Sequence, residues 1–86
     1  MTIRYTQYFE QRLRKKLQKN SQLKEKVKKQ IELLTQDIRH PGLKVHKLQG
    51  KRTTQYAFWV EKNLRITFLI YSDYYLLTDI ITHDEY

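Results

Sequence analysis

Eighty-six residues make one small domain, 1–86, able to bury roughly 60–65% of its unfolded surface. Seventeen Lys and Arg against nine Asp and Glu leave a net charge of +8, which favours polyanionic partners: nucleic acid, an anionic surface or an acidic protein. The absence of cysteine excludes disulfides and thiolate metal sites and fits a cytoplasmic location, and no stretch nears the roughly 20 apolar residues that cross a bilayer.

The N-terminal "MTIRYTQYFEQRLRKK" has no uninterrupted apolar block and does not read as a secretory signal. "TIRYT" is short, β-branched and aromatic, the composition of a first strand. From Thr6, Phe9, Leu13 and Leu17 recur every four residues with Tyr8 beside them and charges between, which predicts an amphipathic helix over 6–19. "NS" at 20–21 interrupts it, with Ser21 placed to cap a second helix. Leu23, Val27, Ile31, Leu34 and Ile38 form the apolar stripe of that helix, over 22–37, ended by "DIRHPG". Pro41 disfavours helix at His40, and Gly42 tolerates positive φ. Residues 1–40 hold eleven basic and four acidic side chains against six and five in 41–86, so the helical half is a basic shell.

The second half reads as strands. "LKVHKL" alternates with Leu43, Val45 and Lys47 on one side, and "TQYAFWVE" sets Tyr56, Phe58 and Val60 against Ala57 and Trp59. "LRITFLIYS" comes after a tight turn at "EKN", and "YYLLTDIIT" after a second turn at "SD", which makes an antiparallel meander. Both parities of the last strand are apolar or aromatic, as expected of a central or well-covered strand. The fold class is α+β, in the order β-α-α-β-β-β, with two N-terminal helices packed on a twisted, mainly antiparallel sheet. Trp59 and Tyr56, Tyr71, Tyr74 and Tyr75 would then form an aromatic face, suited to stacking on bases or receiving a partner's segment.

Few groups suit chemistry. His40, His46 and His83 lack metal-ligand spacing, His40 reads as structural, the two serines lie in turns, and there is no glycine-rich phosphate loop. What remains is His46 and Lys47 in "KVHKLQGK", Arg65 in "NLRITF", and His83 and Tyr86 after the last strand. Metal-free RNA cleavage by the 2′-hydroxyl needs only such types: a base, an acid, and cations for the charge on the phosphorane. Histidine suits either proton role, and Arg or Lys the charge.

"VHKLQGK", "YAFWVEKNLRITFLI" and "DIITHDEY" together resemble the RelE/ParE superfamily of toxins from bacterial and archaeal toxin–antitoxin pairs, and in particular its RelE/YafQ/YoeB-like mRNA interferase branch. The resemblance spans nearly the whole chain and implies a RelE-like, microbial-ribonuclease-like fold. It implies a toxin that enters the ribosomal A site, contacts rRNA and cuts mRNA without metal or other cofactor, held inactive by a cognate antitoxin. On this likeness Arg65 contacts the scissile phosphate, His83 is the near-terminal acid or base, Tyr86 is the terminal aromatic, and His46 is the histidine of the H-x-L-x-G segment. Lys47, Lys51 and Arg52 supply cationic contacts to the substrate, and Asn63 stands at the turn where YafQ-like members carry an acid. The same fold also supports a ParE-like inhibitor of DNA gyrase, or a non-toxic RNA-binding member. The set His46, Arg65, His83 and Tyr86 favours the nuclease, because a gyrase inhibitor needs no proton-transfer group.

Overall fold

The computed structural model describes residues 1–50 and 54–82. In chain order it contains β1 (Thr2–Tyr5), α1 (Gln7–Leu17), α2 (Ser21–Gln36), a 3₁₀ turn (Pro41–Leu43), β2 (His46–Lys47), β3 (Tyr56–Glu61), β4 (Leu64–Ile70) and β5 (Tyr74–Thr82). The five-stranded sheet runs β1-β5-β4-β3-β2, antiparallel except where β1 joins β5 in parallel. The expected β-α-α-β-β-β order holds with one addition, the two-residue edge strand β2 ahead of the three-strand meander. The last strand is central, between β1 and β4, and Leu77, Ile80 and Ile81 are fully buried on it.

Each helix begins on a side-chain cap. The Thr6 hydroxyl accepts from the Phe9 N–H at 3.0 Å, and Asn20 Oδ1 accepts from the Leu23 N–H at 3.1 Å. Asn20, not Ser21, therefore caps α2, and Ser21 is its first helical residue. Lys19, at φ 57°, supplies the left-handed residue that breaks the chain between the helices. Phe9, Leu23, Val27 and Leu34 face the sheet, where Phe58, Val60, Ile66, Phe68, Leu77 and Ile80 complete the core. Leu13, Leu17, Ile31 and Ile38 pack at its margin, so both predicted stripes are the buried ones.

β1 ends opposite Leu77, and α1 meets β5 beyond that point. There Arg12 Nη2 donates to the Ile80 carbonyl at 2.9 Å and Arg12 Nε pairs with the Asp79 carboxylate at 2.8 Å. Asp79 in turn accepts from the Ile80 N–H. An arginine on α1 thus satisfies sheet groups that no neighbouring strand reaches.

The segment after α2 departs from expectation. Leu43 is fully buried but lies in the 3₁₀ turn, Lys44 is left-handed at φ 49°, and strand pairing begins only at His46. Val45 packs at the core margin whereas Lys47, paired with Tyr56 on the same side, is exposed, so of the expected set only Leu43 and Val45 reach the core. Gly42 does not have positive φ. It is needed for space: a Cβ there would stand 3.1 Å from the His40 ring, whose Nδ1 accepts from the Gly42 N–H at 3.0 Å. His40 is structural, as expected.

Gln30 is buried on α2 and carries no apolar signal. Its Nε2 donates to the carbonyls of Gly42 at 3.1 Å and Trp59 at 2.7 Å, tying α2 to the 3₁₀ turn and to β3 at once. Replacing Gln30 with leucine keeps the bulk and strands both carbonyls. The expected loss is about 2 kcal/mol, seen as a fall of roughly 8–16 °C in melting temperature. A Gln30→Leu protein that melts within about 2 °C of wild type would show that these bonds add nothing.

Candidate active site

Strand register decides which side chains meet. His46 pairs with Ala57, Ala57 with Thr67, and Trp59 with Arg65, so His46, Trp59 and Arg65 share one face. Phe58 pairs with Ile66 and Tyr56 with Phe68 on the opposite face, beneath the helices. Lys47 pairs with Tyr56 and so belongs to the helix side, away from Arg65. Asn63 is exposed in the β3–β4 turn, close in sequence to Arg65. Lys51, Arg52, His83 and Tyr86 lie outside the described residues. β5 is followed through Ile81, paired with Arg65, to Thr82, paired with Leu64.

The β3–β4 turn organises this face. Lys62 is left-handed at φ 48°, and its carbonyl accepts from Trp59 Nε1 at 2.9 Å and from Arg65 Nη1 at 3.3 Å. Arg65 Nη1 also lies 3.4 Å from the Leu64 carbonyl. The register slips between Trp59 and Glu61, and Glu61 forms an ion pair with Lys26 of α2 at 3.2 Å. Asp79, the acid on β5, is taken by Arg12. Both neighbouring carboxylates are thus engaged by helix cations, and among the described residues Arg65 has no acidic partner. Its Nε is buried and makes no hydrogen bond among those residues. A guanidinium with carbonyl tethers and no acidic partner among those residues is a site for an anion, and its planar fork suits a phosphate.

His46 is exposed on the edge strand, and its Nδ1 lies 3.2 Å from the Lys44 carbonyl. A carbonyl only accepts, so Nδ1 carries the proton in that contact. By strand spacing His46 and Arg65 stand roughly 10–12 Å apart, with β3 between them. Buried polar groups elsewhere on this face are paired: the Thr67 and Thr78 hydroxyls are 2.7 Å apart, and the Thr78 hydroxyl donates to Gln55 Oε1 at 2.7 Å. Among the described residues no group of three or more His, Cys, Asp or Glu could hold a metal ion, and no helix is long and apolar enough to cross a membrane.

The expected aromatic face divides in three. Tyr75 is buried and Tyr56 packs against the core, both around the Phe68 ring. Tyr71 and Tyr74 stack at 4.7 Å beside the far turn, with Arg4 over Tyr74. Tyr74, next to buried Tyr75 in the strand, also turns to the face of Arg65 but at the far turn, so of the five Trp59 is the one paired with Arg65. Its own strand marks it as aromatic but not as a member of this site, because its place depends on the pairing with Arg65.

The folds of known toxins match this one. Solved structures with the same architecture include a YoeB/ParE toxin from Agrobacterium tumefaciens, at 12% identity, TM-score 0.81 and coverage of 96% of this chain and 99% of that one. A metal-bound toxin from Helicobacter pylori shares 22% identity at TM-score 0.79, covering 99% and 97%. YafQ from the Escherichia coli DinJ–YafQ complex shares 21% at TM-score 0.76, covering 96% and 93%. No family model and no curated protein sequence matches the chain. The chain therefore has the RelE/YafQ/YoeB-like toxin fold over essentially its full described length, as its motifs lead one to expect.

Proposed function

We propose that this protein is the toxin of a toxin–antitoxin pair and a ribosome-dependent, metal-independent mRNA endoribonuclease, working in the cytoplasm. The observation that carries the reading is Arg65: a guanidinium without a counter-ion among the described residues, on the face left open by the helices, in a fold shared with YafQ. In this reading Arg65 holds the scissile phosphate. His46 takes the 2′-hydroxyl proton, and the 2′-oxygen attacks phosphorus. His83, next in sequence after Thr82, gives a proton to the departing 5′-oxygen, which leaves a 2′,3′-cyclic phosphate. Tyr86 stacks on a base beside the cut. Lys51 and Arg52 meet the RNA backbone, with Asn63 at the turn. Lys47, on the other side of the sheet, contacts rRNA rather than the cut strand.

In this reading the exposed basic helices contact the phosphates of rRNA at the A site. YafQ is known in complex with DinJ, and a cognate antitoxin is the expected partner here.

Purified protein added to a translating extract should cut mRNA and leave 2′,3′-cyclic phosphate ends. His83→Ala should slow cutting by about 10²–10⁴-fold, the usual worth of a positioned proton donor. Intact mRNA together with loss of DNA supercoiling would instead establish a ParE-like gyrase inhibitor. Intact mRNA with RNA binding alone would establish a non-toxic RNA-binding member.

A further inference from the structure

We infer that Trp59 forms a nucleobase subsite: its indole stacks on the base of the nucleotide whose phosphate meets Arg65. This role rests on the RNA-cleaving function proposed for the protein and adds to it a residue that sets how the strand lies.

Trp59 is half-buried on the open face, in register with Arg65 and on the strand between Arg65 and His46. Its ring is fixed in place. Nε1 donates to the Lys62 carbonyl, the same oxygen that receives Arg65 Nη1. The aromatic plane and the guanidinium are therefore referred to one backbone atom, and a shift of the turn moves both together. Lys44 lies over the indole with its ammonium 4.7 Å from the ring centroid; a stacking base takes that place and moves the cation to the ring's edge, beside the flanking phosphate. An aromatic platform edged by cations is the arrangement that binds single-stranded nucleic acid, with π-stacking for the base and charge for the flanking phosphates. Packing alone does not account for the residue. The helix-side core closes without Trp59, and among the described residues its half-buried ring is not part of that cluster. An acidic peptide would use the cations equally well, but it has no need of an oriented indole beside an arginine.

Trp59 is the only tryptophan, so its emission reports this site directly. The probe is a 5′-fluorescein-labelled 2′-O-methyl RNA tetranucleotide, which lacks the attacking hydroxyl and cannot be cut. Anisotropy at low salt measures its binding, and an unlabelled copy is used to follow tryptophan emission. Emission should be quenched with the same midpoint as the anisotropy change. Trp59→Leu should weaken binding about 10- to 100-fold, while Trp59→Phe should stay within about threefold of wild type. Circular dichroism confirms that both variants fold. If the oligonucleotide binds with unchanged emission and Trp59→Leu binds as wild type does, the subsite is wrong and the RNA reading stands. If the free oligonucleotide does not bind, the same variants are compared for cleavage on ribosomes. A leucine variant that cuts as fast as the phenylalanine one overturns the subsite, and absence of cutting by wild type overturns both readings.

Discussion

Arg65→Ala should cut mRNA about 10²–10³-fold more slowly than wild type on programmed ribosomes, the usual loss when one preorganised donor to a developing oxyanion is removed. The fold should survive. Among the described residues Arg65 makes two long contacts, at 3.3 and 3.4 Å, to the carbonyls of Lys62 and Leu64. Its Nε is buried without a hydrogen bond among the described residues, so truncation removes a cost as well as a benefit. The part that matters for stability is the aliphatic stem, which lies across from the fully buried Ile81. The net change should stay within about 1 kcal/mol, or a few degrees in melting temperature. Arg65→Lys separates charge from geometry: the ammonium keeps the positive charge but loses the fork and the fixed tether to the Lys62 carbonyl. It should recover only part of the rate. Single-turnover primer extension gives the rates, and a thermal melt run beside it gives the stability. An alanine variant that cuts at the wild-type rate while folded would remove Arg65 from the mechanism, and with it the observation on which the functional reading chiefly rests.

Arg65 stands out in the sequence and Trp59 stands there as one of five candidate aromatics, whereas the tie made by Gln30 leaves no sign, and the difference has a physical cause. An arginine in an apolar strand breaks a period-two pattern and so marks itself. Trp59 fits the pattern, and its place beside Arg65 comes from pairing between strands, which no single strand encodes. Gln30 sits at a polar position of a helical stripe and looks like any solvated glutamine, yet two carbonyls from distant segments converge on it.

The helices and the meander are legible because their periodicities are long and regular, and their observed ends differ from expectation by only a residue or two. The cap of α2 is ambiguous in sequence because Asn20 and Ser21 are both good cap residues and adjacent. The alternation of "LKVHKL" suggests a six-residue strand where only the two residues of β2 pair. Pro41 and Gly42 carry a 3₁₀ turn into its first residue, and left-handed Lys44 stops extension there. Lys47 keeps the side that the alternation gives it. It comes next to His46 in a genuine strand pair, and a period of two sends neighbours to opposite faces, so His46 joins Arg65 while Lys47 does not.

Phe68→Ala should cost the protein about 3–5 kcal/mol. Phe68 is fully buried on β4, three residues beyond Arg65, and its ring meets Tyr56 at 5.9 Å, Phe58 at 5.7 Å and Tyr75 at 5.7 Å. It therefore joins three strands through one side chain: β3 through Tyr56 and Phe58, its own β4, and β5 through Tyr75. It also sits at the register shift between Thr67 and Phe68, where β4 and β5 change their pairing and the ladder is weakest. Removing the ring leaves a void at the point where the backbone has least support, so the cavity collapses poorly and the cost falls toward the upper end of the range. A domain of this length has roughly 4–13 kcal/mol in all. The variant should lose roughly 15–30 °C in melting temperature, or fail to fold at the lower end of that stability. Phe68→Leu, which keeps most of the volume and loses the ring–ring contacts, should cost no more than about half as much. Urea melts of wild type and both variants, read for midpoint at unchanged slope, give the numbers. A loss below about 1 kcal/mol for Phe68→Ala would mean that the β4–β5 seam does not depend on this aromatic cluster. The placement of Arg65 beside Ile81 would then need a different support.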